Sequence, residues 1–170
     1  GNVPQPKKAP AIGKSVAIIG GGPGGLSAAY YLALMGHKVT VYEQQTKLGG
    51  MMRYGIPSYR FPREKLDAEI DSILSLGIEV KTGVKVGQDV TFDQLRKEHD
   101  CLYISIGAHT DKKTGIEGED SQGVISAVEM LRRIGDEEMP DFTGQNVAVI
   151  GGGNVAMDVN RSAISLGAAK

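Results

Sequence analysis

The sequence predicts an α/β fold of three layers, a doubly wound and mostly parallel sheet with helices on both faces. Two observations predict it. Short β-branched apolar runs alternate along the chain with helix-like stretches, the order that builds a parallel sheet. One strand–turn–helix motif also occurs twice. Val16-Ala17-Ile18-Ile19-Gly20-Gly21-Gly22-Pro23-Gly24-Gly25 recurs as Val147-Ala148-Val149-Ile150-Gly151-Gly152-Gly153-Asn154-Val155-Ala156. Each copy closes on an apolar residue and a glycine, Met35-Gly36 and Leu166-Gly167.

The elements follow in order. Ser15–Gly20 reads as a buried parallel strand, apolar on both faces. Gly24–Met35 is rich in Ala and Leu and reads as a helix stopped by Gly36. Lys38–Tyr42 is a β-branched strand that completes a βαβ unit. Gln44–Phe61 is long and aperiodic, and such segments are usually functional. Pro62 suits the first position of a helix whose Leu66, Ile70, Ile73 and Leu74 share one face, with Gly77 as its stop. Ile78–Lys81 is a short strand. Thr91–Lys97 is a short helix capped by Thr91 or Asp89. Cys101–Ile106 reads as another buried strand entering Gly107. Thr110–Gly123 is polar and Gly-rich, a candidate hinge. Ala127–Ile134 is helical, and Asn146–Ile150 with Asn154–Leu166 repeats the opening plan.

Composition narrows the function classes. The chain has 170 residues, enough for one domain or one domain plus part of another. A net charge of -1 gives no electrostatic case for nucleic acid or an anionic membrane. Aromatic content is 5% without Trp, too little for a base-stacking platform. The single cysteine, Cys101, rules out an internal disulfide, a Cys-x-x-Cys pair and an iron–sulfur cluster ligated by this sequence alone. No apolar run approaches the roughly 18 residues of a membrane span. Residues 1–14, with Pro4, Pro6 and Pro10, lack the apolar region of a secretory signal and read as a linker. A cytoplasmic protein is expected.

In a dinucleotide-binding βαβ unit the first glycine permits the tight turn, the second lets backbone approach the pyrophosphate, and the third lets helix and strand pack closely. Gly20, Gly22 and Gly25 take those places. The helix start then offers amide N–H groups and a partial positive charge to phosphate, and Pro23 beside it is counted among the cofactor-binding residues. Glu43, followed by Gln44, ends the second strand where an acidic group accepts the ribose hydroxyls. The second turn has Gly151, Gly153 and Asn154, with Ala156 at the third, small-residue position. The sequence stops before the position that separates NAD from NADP. Two such turns imply two dinucleotides in one Rossmann-like protein, and so electron transfer between cofactors.

Val16–Gly25, Val41-Tyr42-Glu43, Leu48-Gly49-Gly50-Met51-Met52-Arg53-Tyr54-Gly55-Ile56-Pro57, Tyr59-Arg60-Phe61-Pro62, Ile104–Ala108 and Val149–Asp158 together resemble the pyridine-nucleotide-dependent flavoprotein reductases. The resemblance is to the branch with the glutamate synthase small subunit, the NADPH:ferredoxin transhydrogenase large subunit and the flavin half of dihydropyrimidine dehydrogenase. It covers nearly everything from Lys14 onward, and Leu48–Pro62 is its specific part. It implies FAD on the first turn and NAD(P)H on the second. Gly20, Gly22 and Gly25 then approach the FAD pyrophosphate and Glu43 takes the adenosine ribose. Leu48, Gly50 and Arg53 lie along pyrophosphate and flavin. The Val86 backbone meets adenine, and Gly107 and Ala108 close over FAD. Gly151, Gly153, Asn154 and Ala156 hold NAD(P)H. The resemblance places an FAD-binding domain at 15–123 and the start of an NAD(P)H-binding domain at 124–170. The family's upstream cysteine-rich region and its closing Gly-Asp segment are missing from the sequence, so a fragment or split product is expected.

The remaining reactive residues read more plainly. Cys101 is expected to be a buried, inert thiol. His37, His99 and His109 are too scattered for a metal site. His37 and His99 read as exposed, and His109 as a loop residue with the flavin edge as the alternative. Asp158, on the first turns of the second helix, reads equally as a cap or solvent-facing residue and as a residue with a role, and Glu117–Asp120 as a solvated loop. The expected function is NAD(P)H-dependent flavoprotein electron transfer to iron–sulfur centres or a partner subunit. That partner would be a glutamate synthase large subunit or a ferredoxin- or hydrogenase-like protein. The cofactors carry the chemistry, so no catalytic acid or base is expected. The alternative is a non-catalytic nucleotide-binding or assembly module.

Overall fold

The computed structural model describes residues 6–170, so the part of the expected linker at 1–5 lies outside the described residues. The chain forms two compact units. One holds the residues up to Met52 together with Arg63–Gly107, and the other holds Arg53–Pro62 and Ala108–Lys170. The break at Gly107 precedes the boundary at 123 expected from the motifs.

The first unit is a four-stranded parallel sheet, with β1 (Ser15–Ile19), α1 (Pro23–Leu34) and β2 (Lys38–Glu43) as its first βαβ crossover. After α2 (Met51–Tyr54) come α3 (Arg63–Leu74), β3 (Glu79–Thr82), α4 (Phe92–Glu98) and β4 (Cys101–Ile104). The strand order is β3-β2-β1-β4. The chain winds outward from β1 through β2 to β3 and then returns to the other side of β1. That reversal makes the carboxyl ends of β1 and β4 the switch point where doubly wound sheets bind ligands.

Burial explains β1 and β2. Ala17 and Ile19 of β1 and Tyr42 of β2 pack with Leu95 of α4 on one face. Val16 and Ile18, in register with Val39 and Val41, point to the other face by strand alternation. That face takes α1, which lies against β1 and β2. Both faces are covered, so β2 is buried from Val39 to Glu43 and lacks the polar face of a surface strand. α4 starts with a capping box: Thr91 Oγ1 accepts from Gln94 N at 3.1 Å, and Gln94 Oε1 accepts from Thr91 N at 2.8 Å. Residues 6–14, expected as a linker, are tied to this unit. Ala9 N donates to Leu34 O at 2.8 Å, and Lys8 Nζ to Leu76 O at 2.9 Å.

The expected buried strand at 101–106 is corrected. β4 is an edge strand ending at Ile104, with Tyr103 and Ile104 exposed. Among the described residues it pairs with β1 alone, so one of its edges is uncovered. Cys101 is therefore exposed and not a buried thiol. His37 and His99 are half-buried rather than exposed. His99 packs edge-on to Tyr42, with its Nε2 3.2 Å from the Tyr42 hydroxyl.

In the second unit, α5 (Ala127–Gly135) and α6 (Asn154–Ser165) share a core of Met130, Leu131, Phe142, Val159 and Ala163. Ser126 caps α5 by accepting from Glu129 N. The expected strand at 146–150 is not formed. A ladder starts there, with Ala169 N donating to Gln145 O and Val147 N to Lys170 O, both at 2.9 Å. The first bond repeats the one between Lys38 N and Lys14 O over the same sequence interval. Ile150 is 75% exposed where its counterpart Ile19 is 5% exposed. Within the Gly-rich 110–123 loop, Glu119 is an organiser rather than a solvated charge. Its Oε2 accepts from Thr114 Oγ1 at 2.6 Å and from Gly115 N at 2.8 Å.

Candidate functional site

The first turn leaves β1 at the switch point. Gly20 has φ +107°, and a Cβ there would strike the Ser105 carbonyl just past β4. Ser105 Oγ donates to Ile19 O at 3.2 Å and to Gly20 O at 3.1 Å, which ties β4 to the turn. A Cβ on Gly25 would collide with the Gly20 carbonyl, so helix and strand meet here backbone to backbone. These two glycines are required by the polypeptide itself.

Gly22 is different. It caps α1 at φ -81° and ψ -175°, a conformation open to any residue. A Cβ there would meet only Gly50 Cα, at the ordinary distance of 3.5 Å. Nothing in the described fold demands glycine at this position. The α1 N-terminus has no side-chain cap, in contrast to α4 and α5. Its first amides are therefore available to an anion. Pro23, exposed at the first helical position, withholds no useful donor.

Glu43 is 6% exposed and aims at the turn. Its Oε2 accepts from Gly21 N at 2.7 Å, and its Oε1 accepts from Gln45 N at 2.8 Å. The carboxylate thus fastens the turn to the end of β2, and each oxygen keeps a lone pair for another donor. Gln44 beside it is exposed. Leu48 and Gly50 come to the same place. Gly49 N donates to Gly21 O at 2.9 Å, Leu48 fills the space beside Gly21, and Gly50, at φ +52°, packs on Gly22.

Val86, Gly107, Ala108 and Arg53 are the other expected first-site residues. Half-buried Val86 bridges to Val90 and packs on the Ala17–Tyr42 cluster. Its loop is held to the end of β2 by the bond from Val84 N to Glu43 O. Gly107 (φ +68°) and Ala108 are exposed where one unit ends and the other begins. Arg53 is buried, but it belongs to the second unit.

The second turn copies the first. Gly151 has φ +135°, Gly153 caps α6 at φ -83° and ψ 178°, and α6 lacks a side-chain cap. A Cβ on Gly151 would touch the Ala156 Cβ at 3.5 Å, while one on Gly152 or Gly153 would meet nothing within 4 Å. Ala156 is buried, as the third position requires, and Asn154 is exposed at the helix start.

One constellation escaped the sequence reading. Asp158 of α6 is 7% exposed, not solvent-facing. Its Oδ1 accepts from Arg60 Nε at 2.5 Å and from the Tyr59 hydroxyl at 3.1 Å. The hydrogen bond to this carboxylate, more than its field, holds the Arg60 guanidinium above its ordinary pKa. Arg161, one turn along α6, lies over the Tyr59 ring with 4.8 Å to the centroid. The available signal was that Tyr59-Arg60 and Asp158 both fall inside resemblance-carrying segments. Among the described residues no group of three or more His, Cys, Asp or Glu could hold a metal, and no helix is long and apolar enough to cross a membrane.

The chain is 49% identical over 158 residues to the NADP(+)-dependent formate dehydrogenase subunit beta of Moorella thermoacetica, covering 92% of this chain and 22% of that one. It is 34% identical over 166 residues to the glutamate synthase [NADPH] small chain of Escherichia coli K12, covering 92% of this chain and 35% of that one. The chain thus spans about a fifth to a third of the length of these curated relatives. Among solved structures it is similar to Mycobacterium tuberculosis FprA in complex with NADPH. That likeness has a TM-score of 0.76 at 27% identity and covers 87% of this chain and 36% of the other. Residues 14–169 match the family described as pyridine nucleotide-disulphide oxidoreductase, and the chain belongs to that family.

Proposed function

We propose that the chain is the nucleotide-binding part of an NAD(P)H-dependent flavoprotein oxidoreductase, with FAD on the first turn and NAD(P)H on the second. The observation that carries this reading is Gly22: it is unneeded by its own backbone and surrounded by space a Cβ could fill, at an uncapped helix start on a switch point. Gly153 repeats it on the second turn. When bound, the two cofactors supply the redox chemistry, in which hydride passes from nicotinamide to flavin.

The chain's own residues bind and orient. Gly20, Gly22, Pro23 and Gly25 shape the flavin-side turn, with Leu48 and Gly50 behind it. Glu43 and Gln44 face the ribose, Val86 the adenine, and Gly107 and Ala108 the covering turn. Arg53 steadies phosphate or flavin. Gly151, Gly153, Asn154 and Ala156 take the pyridine nucleotide. Residues 15–123 serve FAD, and 124–170 begin the NAD(P)H region. The electrons leave for an iron–sulfur domain or a partner subunit in a cytoplasmic complex. The relatives support a partner subunit, because they are named as a subunit beta and a small chain.

The test is anaerobic addition of NADPH to FAD-loaded protein. Bleaching of the visible flavin band supports the reading. Retention of both nucleotides without bleaching favours the assembly-module alternative.

A further inference from the structure

Residues 53–62 leave the first unit in sequence yet pack with the second. The excursion is clasped at its root, where Arg63 Nη1 donates to Met52 O at 3.0 Å inside the first unit. In the second unit it is held at two points. A Cβ on Gly135, at the end of α5, would lie 2.9 Å from both Arg53 O and Tyr54 Cα, so strap and helix meet backbone to backbone. Further along, Tyr59 and Arg60 both grip the buried Asp158 carboxylate, and Arg161 covers the Tyr59 ring.

Asp158 lies five residues beyond Gly153, the cap of α6. Whatever fixes Asp158 therefore fixes the roll of the α6 first turns and the direction of their amides. Both donors to the buried Asp158 carboxylate, the Tyr59 hydroxyl and Arg60 Nε, come from the strap. We propose that Asp158 and Arg60 are positioning residues for the pyridine nucleotide: through them strap 53–62 sets the orientation of the Gly151–Asn154 turn. The inference rests on the reading of that turn as the NAD(P)H site. It assigns no contact with the nucleotide to either side chain.

The test measures NADPH affinity, FAD affinity and melting temperature for the unaltered chain and for Asp158→Asn, Arg60→Ala, Arg60→Lys and the Arg60→Ala/Asp158→Asn double variant. Asp158→Asn and Arg60→Ala are each expected to weaken NADPH roughly tenfold or more and to leave FAD affinity within about twofold. The double variant is expected to be no worse than the poorer single one, and Arg60→Lys to recover part of the loss. A merely structural ion pair would lower the melting temperature and both affinities together, which overturns the inference. Unchanged NADPH affinity in Asp158→Asn, with tight binding by the unaltered chain, overturns the inference alone. No NADPH binding by the unaltered chain overturns the second-site reading, and the inference with it.

Discussion

Gly22 and Gly50 face each other backbone to backbone, and the contact is unequal. A Cβ on Gly50 would lie 2.7 Å from Gly22 Cα, whereas a Cβ on Gly22 would lie 3.5 Å from Gly50 Cα. Gly50 is glycine for the fold and also has φ +52°. Gly22 has no such need within the fold, and we propose that a bound cofactor is the reason for it. Gly22→Ala is therefore expected to cost less than about 1 kcal/mol of stability, the scale of an altered helix cap. Urea unfolding measures that part. FAD affinity is expected to fall at least about tenfold, read by flavin fluorescence.

Gly20→Ala and Gly25→Ala should behave oppositely. Each drives a Cβ into a main-chain carbonyl, of Ser105 and of Gly20 respectively, and Gly20 sits at φ +107°. Backbone cannot step aside as a flexible side chain can. A loss of about 3 kcal/mol or more is expected for each, measured by denaturant unfolding. A wild-type midpoint for either would contradict the close approach at β1 and α1.

Glu43→Ala removes the acceptor for Gly21 N and Gln45 N. A buried N–H left unpaired costs about 1–3 kcal/mol, so the turn should loosen as well as lose affinity for FAD. Hydrogen exchange at Gly21 should accelerate. Unchanged exchange would show that the carboxylate does not hold the turn.

Gly153→Ala separates the two turns. The space around a Cβ there is empty, so the melting temperature is expected to hold. NADPH affinity should drop while FAD affinity stays, as two titrations on one preparation will show. Parallel loss of both would deny the second turn a ligand of its own.

Lys14 and Asp100 set an acid-range prediction. The Lys14 ammonium, at 2.7 Å, and the Ser15 amide hold the Asp100 carboxyl well below its ordinary range, at about 2. The folded value is the lower one, so the contribution is present above the unfolded pKa and fades as pH falls from about 4 toward 2. Asp100→Asn should flatten the pH dependence of stability in that window alone. An unaltered slope would show that the pair contributes nothing to it.

The first βαβ unit was legible in the sequence because local pattern and tertiary burial agree there. β1 is apolar on both faces, and both faces are covered; the turn glycines follow at fixed spacing. The Cys101–Ile104 run has the same apolar character but only one neighbouring strand, and neighbours are not encoded locally. Asn146–Ile150 differs from expectation for a related reason: a parallel strand is a property of a pair, and two ladder bonds, at Gln145 and Val147, are formed beside it. Glu43 is legible as the acidic end of β2, but its two backbone partners depend on how Gly21 and Gln45 fold around it. Asp158 could not be read as buried, since Tyr59 and Arg60 reach it from about a hundred residues away in sequence.

The most direct test of the central claim is an equilibrium titration of FAD against the unaltered chain and Gly22→Ala, on samples with matched melting temperatures. The account predicts saturable FAD binding by the unaltered chain and at least about a tenfold loss in the variant. Equal FAD affinity in the two proteins would contradict it, because the open space at Gly22 would then not be where the cofactor lies.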